Sequence, residues 1–360
     1  MKDLIQQLLV PPGYGIYTVN TAKERKDSLT KLLYGNQKDP LIAWSESLRE
    51  LENSSIALYG ICSDTGGGIL RGANWGPLFL RSTFYQLPYR KEVFDLGDIR
   101  VIPHLLHDKY LNQETIKNCR LALFGNSELD LPVSPLSIAE TFAHHFHQKY
   151  PEKKLIMLGG DHSVSYPAVK AYLENKKSQN KKCAILHFDA HTDLLEHRLG
   201  IDICFGSWAY PMKDLLASPE LLIQIGIRSS GKDKGYWESK MGVTQYWSDE
   251  VYHLGPEVIA QKISTIFKNH NVDEFYISFD IDALDEKYAS ATGTPEPLGL
   301  HPQQCHYIIN TLSQKYQIGG ADLVEVAPMT RGAGDSPQFI EPHNTLLAGA
   351  MLLNLFIERM

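Results

Sequence analysis

Short apolar runs at Ile56–Ile61, Val93–Leu96, Leu155–Leu158, Ala184–Phe188, Leu222–Ile227, Phe275–Phe279 and Ala321–Val326 are separated by longer stretches of amphipathic, helix-like pattern. Continuous runs of this length suit strands buried on both faces. Their alternation with helices is the pattern of repeated βαβ units around a parallel sheet. Ser137-Ile-Ala-Glu140 has the form of a capping box and predicts a helix from there to about Tyr150, with Ile138, Phe142 and Phe146 on one face. Residues Asn344 to Glu358 read as a largely apolar terminal helix packed on the sheet. Residues 1–50, punctuated by Pro11-Pro12-Gly13, lack the alternation and read as an N-terminal extension or oligomer-contacting arm ahead of one domain over 51–360.

Composition narrows the class of partner. The 360 residues carry a net charge of −7, and the basic residues are dispersed, so neither nucleic acid nor a membrane surface is expected. A small molecule is the expected partner. Five cysteines, an odd number without a C-x-x-C pair, argue against a disulfide framework or zinc ribbon and suit a reducing, cytoplasmic setting. Polar residues interrupt the first positions before an apolar stretch reaches signal-peptide length.

The chemistry lies at the ends of the apolar runs: Gly159-Gly-Asp161-His162, Asp189-Ala-His191-Thr-Asp193, Asp280-Ile-Asp282 and Glu325. Any one of these is weak evidence, since Asp at a strand end is usually a turn former or cap. Recurrence at successive strand ends is harder to dismiss, because an open parallel sheet carries its chemistry there. If strand geometry persists, alternate side chains of 189, 191 and 193 point to the same side, and Asp280 and Asp282 repeat the device. Gly159-Gly160 allows a tight turn that aims His162 into the same crevice. Carboxylate oxygen with some imidazole and no thiolate is a donor set for manganese or a similar divalent ion. Seven such groups suit two ions sharing a water made nucleophilic for hydrolysis. Glu325, acidic in an apolar strand end, calls for a cation or metal, and a planar guanidinium would pair with it bidentately.

These motifs, with Ser278-Phe-Asp-Ile-Asp-Ala-Leu-Asp285, Thr292-Gly-Thr-Pro295 and Val324-Glu-Val-Ala-Pro328, resemble in order the signatures of the ureohydrolase family of arginases, agmatinases and formimidoylglutamases. Arg71-Gly-Ala-Asn-Trp-Gly-Pro77, Arg81 and Gln224-Ile-Gly-Ile-Arg228 also resemble family segments. The resemblance implies an α/β catalytic domain, a three-layer α/β/α sandwich on a largely parallel eight-stranded sheet. It implies two Mn(2+) ions per subunit, with nickel, cobalt or iron as alternatives, and a homo-oligomer, trimer or hexamer. His162, Asp189, Asp193 and Asp280 would hold one ion, and His191, Asp189, Asp280 and Asp282 the other. Asp193 would pass a proton to the departing amine, and Glu325 would orient a guanidinium, giving urea and a primary amine.

The chain departs from the family at the loop after residue 193. Phe205, in Cys204-Phe-Gly-Ser-Trp208, stands where arginases and agmatinases have a histidine, and Phe cannot carry a proton. His197 on the same loop is a candidate substitute, and Phe205 and Ser207 are candidate substrate contacts. The Asn and Ser pattern that reads an α-amino acid is missing, so an agmatinase-like guanidino substrate is expected over arginine. Formimidoylglutamase also lacks that histidine. A formimino hydrolase releasing formamide, with Arg198 or Arg228 meeting substrate carboxylates, is therefore one alternative. A catalytically silent relative that keeps its metals is another. Trp75 and Trp208 are candidate pocket walls with core packing as the rival reading. Thr65-Gly66-Gly67-Gly68 is expected as a loop at the rim, and His144, His145 and His147 as solvated or packed side chains rather than ligands.

Overall fold

The computed structural model describes residues 3–36, 39–89, 92–329 and 343–360. Among these, nine strands form one sheet: β1 (Leu9–Val10), β2 (Ile56–Gly60), β3 (Phe94–Ile99), β4 (Lys154–Leu158), β5 (Cys183–Phe188), β6 (Leu222–Ile227), β7 (Thr244–Trp247), β8 (Glu274–Asp280) and β9 (Gln317–Val324). Their order is β1-β3-β2-β4-β9-β8-β5-β6-β7. Every pairing is parallel except that of β1 on β3, so the expected parallel sheet gains an antiparallel edge strand. Helices cover both faces. Gly76–Gln86 and the terminal helix His343–Arg359 share a core with Leu58, Leu158, Phe188, Ile277 and Leu323. The helix Pro135–Lys149 packs on the opposite face, against Ala57, Tyr59 and Met157. Burial on both faces explains why these strands read as unbroken apolar runs.

That helix starts before the expected Ser137. Pro135 occupies its first turn, where a fixed φ and a missing N–H cost nothing, and Ser137 and Glu140 take other work. The Ser137 Oγ accepts from Asp108 N at 2.9 Å, and the Glu140 carboxylate pairs with Lys170. The three histidines are not convergent: His144 faces Glu174 at 3.2 Å, His145 faces Asp3 at 3.6 Å, and His147 is buried, its pKa pushed down to about 3 by desolvation.

The first fifty residues are joined to the sheet. The β1 strand pairs with Ile99 and Asp98 of β3, and the Asp98 carboxylate accepts the amides of Gly13 at 2.8 Å and Gly15 at 3.0 Å. Asp98 is fixed in turn by the fully buried Arg81, which also reaches Asp95 at 2.8 Å. The guanidinium therefore organises a buried ion triad that anchors the Pro11-Pro12-Gly13 turn. No helix among the described residues is long and apolar enough to cross a membrane.

Candidate metal centre

Four neighbouring strands, β4, β9, β8 and β5, deliver the site at their carboxyl ends. His162 follows β4, Glu325 follows β9, Asp280 ends β8 with Asp282 beyond it, and Asp189 to Asp193 follow β5. The chain leaves strand geometry to do this. Asp280 caps a single helical turn at Ile281–Ala283 through Asp282 N at 2.8 Å, and Asp189 accepts His191 N at 2.6 Å. Asp193 has φ 51° and Glu325 φ 60°, a left-handed conformation that non-glycine residues adopt at a cost. Convergence thus comes from capped turns and two strained residues, not from the period-two spacing.

His162 Nδ1 lies 3.1 Å from Asp189 Oδ2, 3.1 Å from Asp193 Oδ2 and 3.2 Å from Asp280 Oδ2. It is fully buried, yet none of these oxygens is aligned to hydrogen-bond with it. A second group lies alongside, with His191 Nδ1 3.3 Å from Asp189 Oδ1 and 3.2 Å from Asp282 Oδ2. The two oxygens of Asp189 face the two groups. Burial, then repulsion from Asp282 and Asp189, pushes the Asp280 carboxyl well above its ordinary range, and burial with Asp189 raises Asp193. Four acids and two imidazoles in one dry space are an arrangement that cations relieve, and hard oxygen donors with a nitrogen minority fit a divalent ion.

The surroundings fix these groups. His162 Nε2 bonds Ser278 Oγ at 3.1 Å, and that hydroxyl donates to Asp322 at 2.8 Å, which leaves Nδ1 as the inward lone pair. Trp208 Nε1 donates to Asp193 Oδ2 at 2.9 Å and its ring lies 4.7 Å from that of His162, so Trp208 holds a site carboxylate instead of walling a pocket. Trp75 packs edge-on to Phe79 in the core. Thr294 Oγ1 donates to Asp282 at 2.8 Å, and Glu296 faces His191 Nε2 at 3.7 Å. Glu325 accepts His162 N at 2.8 Å, and burial and Asp161 push its carboxyl well up.

Asp161, grouped above with the converging acids, turns its carboxylate away, to Ser163 N at 2.8 Å and Gly66 N at 3.1 Å. It ties the Gly66–Gly68 loop to the site. A Cβ on Gly66 would come within 2.3 Å of Ser163 Oγ, and one on Gly160 within 1.7 Å of Ser63 O, so only glycine allows these approaches. Ser207 is buried and its hydroxyl serves its own turn, donating to Asp202 O at 2.9 Å and accepting from Cys204 N at 3.0 Å. His197 is exposed, and Phe205 is half-buried against Gly68. The Arg228 guanidinium is enclosed by backbone carbonyls, among them Asp282 at 2.6 Å, Glu296 at 2.8 Å and Pro297 at 2.9 Å. It pins two loops together and is not free to meet a substrate carboxylate.

One group was not singled out in the sequence. His187, fully buried one residue before the end of β5, donates from Nε2 to Asp189 Oδ2 at 2.8 Å and accepts at Nδ1 from Gln224 Nε2 at 2.9 Å. Gln224 Oε1 accepts from Gln245 at 2.7 Å, and Gln245 Oε1 from Trp247 Nε1 at 2.9 Å. His187 Nε2 is close enough to join the ligand cluster, but the donation from Gln224 leaves its proton on Nε2 and makes it a donor. Its job is to aim Asp189. His187→Phe should weaken divalent-metal binding by about 10–100-fold, the usual loss when such an outer partner is removed. Isothermal titration would read this, and unchanged affinity would show that the relay is idle.

A mostly parallel sheet bearing paired His/Asp clusters at its carboxyl edge defines a candidate metal-assisted hydrolase. Residues 54–354 match the Arginase family, and the chain belongs to it. It is 30% identical to an agmatinase of Chromobacterium violaceum over 286 residues, covering 78% of each chain. To a guanidinobutyrase of Pseudomonas aeruginosa it is 27% identical over 324 residues, covering 86% of this chain and 87% of the relative. The formimidoylglutamase of Bacillus subtilis shares the fold, with a TM-score of 0.67 at 22% identity over 85% of this chain and 87% of that one. The chain is accordingly a hydrolase of C–N bonds in linear amidines, a guanidino-compound ureohydrolase.

Proposed function

We propose that the protein is a binuclear manganese enzyme that cleaves a guanidino compound to urea and an amine, agmatinase-like rather than arginase-like in substrate. The observation that carries this reading is Asp189, whose two oxygens face His162 Nδ1 at 3.1 Å and His191 Nδ1 at 3.3 Å. A carboxylate placed so could serve two ions at once. His162, Asp189, Asp193 and Asp280 would hold one, and His191, Asp189, Asp280 and Asp282 the other. Two divalent ions, when bound, supply the Lewis acidity that makes water nucleophilic near neutral pH. Asp193, raised by burial and by Asp189, takes a proton on its carboxylate and returns it to the departing nitrogen. Glu325 accepts one amide bond from His162 and keeps carboxylate lone pairs for a planar guanidinium. Phe205 borders the opening without carrying a proton. Ser207, its hydroxyl occupied within its own turn, shapes the loop, and exposed His197 is left to act at the mouth.

The test is urea release by manganese-loaded protein from guanidino compounds of graded length and end charge, with formamide release from formiminoglutamate assayed in parallel. Urea from at least one compound, abolished by chelation and restored by manganese, is expected. Formamide without urea would transfer the protein to formimino chemistry, and two bound metals without either product would leave a silent relative.

A further inference from the structure

We infer that Arg198 receives a carboxylate at the far end of the substrate, so the enzyme prefers guanidino acids to guanidino amines. This rests on the guanidino hydrolase reading and, within it, moves the preferred substrate from agmatine to an acid of similar span. The loop bearing Arg198 is a built hairpin. Leu195 N bonds Gly206 O at 3.1 Å, and Arg198 and Ile201 exchange both backbone bonds at 2.8 and 3.0 Å. The two residues between them, Leu199 and Gly200, have φ 52° and 85°, the paired positive values of a tight hairpin turn. The base of the hairpin is anchored on one side by Trp208 on Asp193, and on the other by Lys109 on Asp202 at 2.6 Å. The turn therefore presents Arg198 from a fixed frame five residues beyond a site carboxylate.

Its guanidinium lies 4.8 Å over the ring of Phe205. Phe205 in turn rests on Gly68, and its amide bonds Gly66 O at 3.0 Å. The same loop continues to Leu70, whose carbonyl and Glu325 Oε2 both flank Gly293, at 3.1 and 3.6 Å from where its Cβ would stand. The 66–70 loop thus connects Phe205 and Arg198 at one end with Glu325 at the other. A substrate gripped by Glu325 at its guanidinium would run its methylenes along this wall.

The charges along it are unequal. Arg198 is exposed and pairs with no carboxylate among the described residues. Arg228 is consumed by carbonyls, Asp202 by Lys109, and Glu296 faces His191. Glu196, two residues earlier on the hairpin, is exposed too, but the charge set against the Phe205 ring is the Arg198 guanidinium. It attracts a terminal carboxylate and repels a terminal ammonium, and the Phe205 face both orients the guanidinium and lowers the local dielectric.

The experiment compares kcat/KM for 4-guanidinobutyrate and agmatine, similar in span and opposite in end charge, in wild type, Arg198→Glu and Arg198→Lys. Wild type should favour the acid by about five- to tenfold, the combined effect of an exposed pair's attraction for the carboxylate and its repulsion of the ammonium. Arg198→Glu should reverse the preference through KM with kcat nearly kept, and Arg198→Lys should retain most of it. Raising the salt concentration should shrink the wild-type preference. A wild type that prefers agmatine, or a preference indifferent to Arg198→Glu, overturns the inference while leaving the hydrolase reading intact. No urea from either compound, or from the wider panel, overturns both.

Discussion

Asp189→Asn should reduce urea release by about a thousandfold or more, because on the proposed binuclear reading it would take from both ions the carboxylate that they share. In the native chain Asp189 Oδ2 and Oδ1 face separate imidazoles, and His187 locks the carboxylate by donating to Oδ2 at 2.8 Å. An asparagine keeps the volume but can offer oxygen to only one side, and its amide hydrogens meet imidazole lone pairs or the His187 proton. Metal content by elemental analysis should fall from the two ions per chain that the proposal expects of wild type towards one or none. A second readout separates this from misfolding. Ions that bind only the folded chain raise its melting temperature by mass action, so manganese should stabilise wild type and stabilise the variant far less. In chelator the variant should melt somewhat lower than wild type at neutral pH. Against the effect of burial, the neighbouring imidazoles hold the Asp189 carboxyl well below its ordinary range, so its ionised form is stabilising and the substitution removes that contribution. Full metal content with wild-type turnover would refute the bridging role.

What could be read in advance follows from where each signal is stored. The parallel strands were visible as apolar runs because helices bury them on both faces, whereas β7, Thr-Gln-Tyr-Trp, is short and polar, and β1 has only two residues. The site carboxylates were visible because acids at strand ends recur along one chain. Their means of convergence was not visible. The left-handed backbone at Asp193 and Glu325 has no residue-type signature, since both are ordinary acids that happen to be held there. Asp161 looked like its neighbours in the motif, yet its oxygens are claimed by Gly66, nearly a hundred positions upstream, and by Ser163. His187 sits inside an apolar run, where the default reading is a packed side chain. Only its register beside Gln224 and Ser278 in the sheet reveals a relay. A signal was nevertheless present: His187 and Gln224 are polar residues interrupting two runs otherwise fit for a core, and buried polar groups demand partners.

Glu325→Gln should lower kcat/KM by about a hundredfold or more while leaving both metals in place, the opposite pairing of effects from Asp189→Asn. Glu325 lies outside the two imidazole-centred clusters, so its removal costs no ligand. Glutamine matches its shape, and its amide oxygen can still accept His162 N, the bond that ties β9 to the turn after β4. What would disappear is the negative charge that the proposed function sets against a guanidinium. Two parallel charge-assisted hydrogen bonds are each about twice as strong as neutral ones, and losing both amounts to roughly 3 kcal/mol, or a little over two decades in kcat/KM. The carboxylate is well suited to this use because it is strained in isolation. Burial and Asp161 hold its proton affinity well above that of an ordinary glutamate, and a bound guanidinium would set a cation against it. The same imbalance means that the variant should be at least as stable as wild type without substrate. Guanidinium chloride at low millimolar concentration, far below denaturing levels, should compete with substrate in wild type and much less in the variant. Equal inhibition of both would remove Glu325 from the guanidinium subsite and leave its left-handed backbone to be explained by the His162 bond alone.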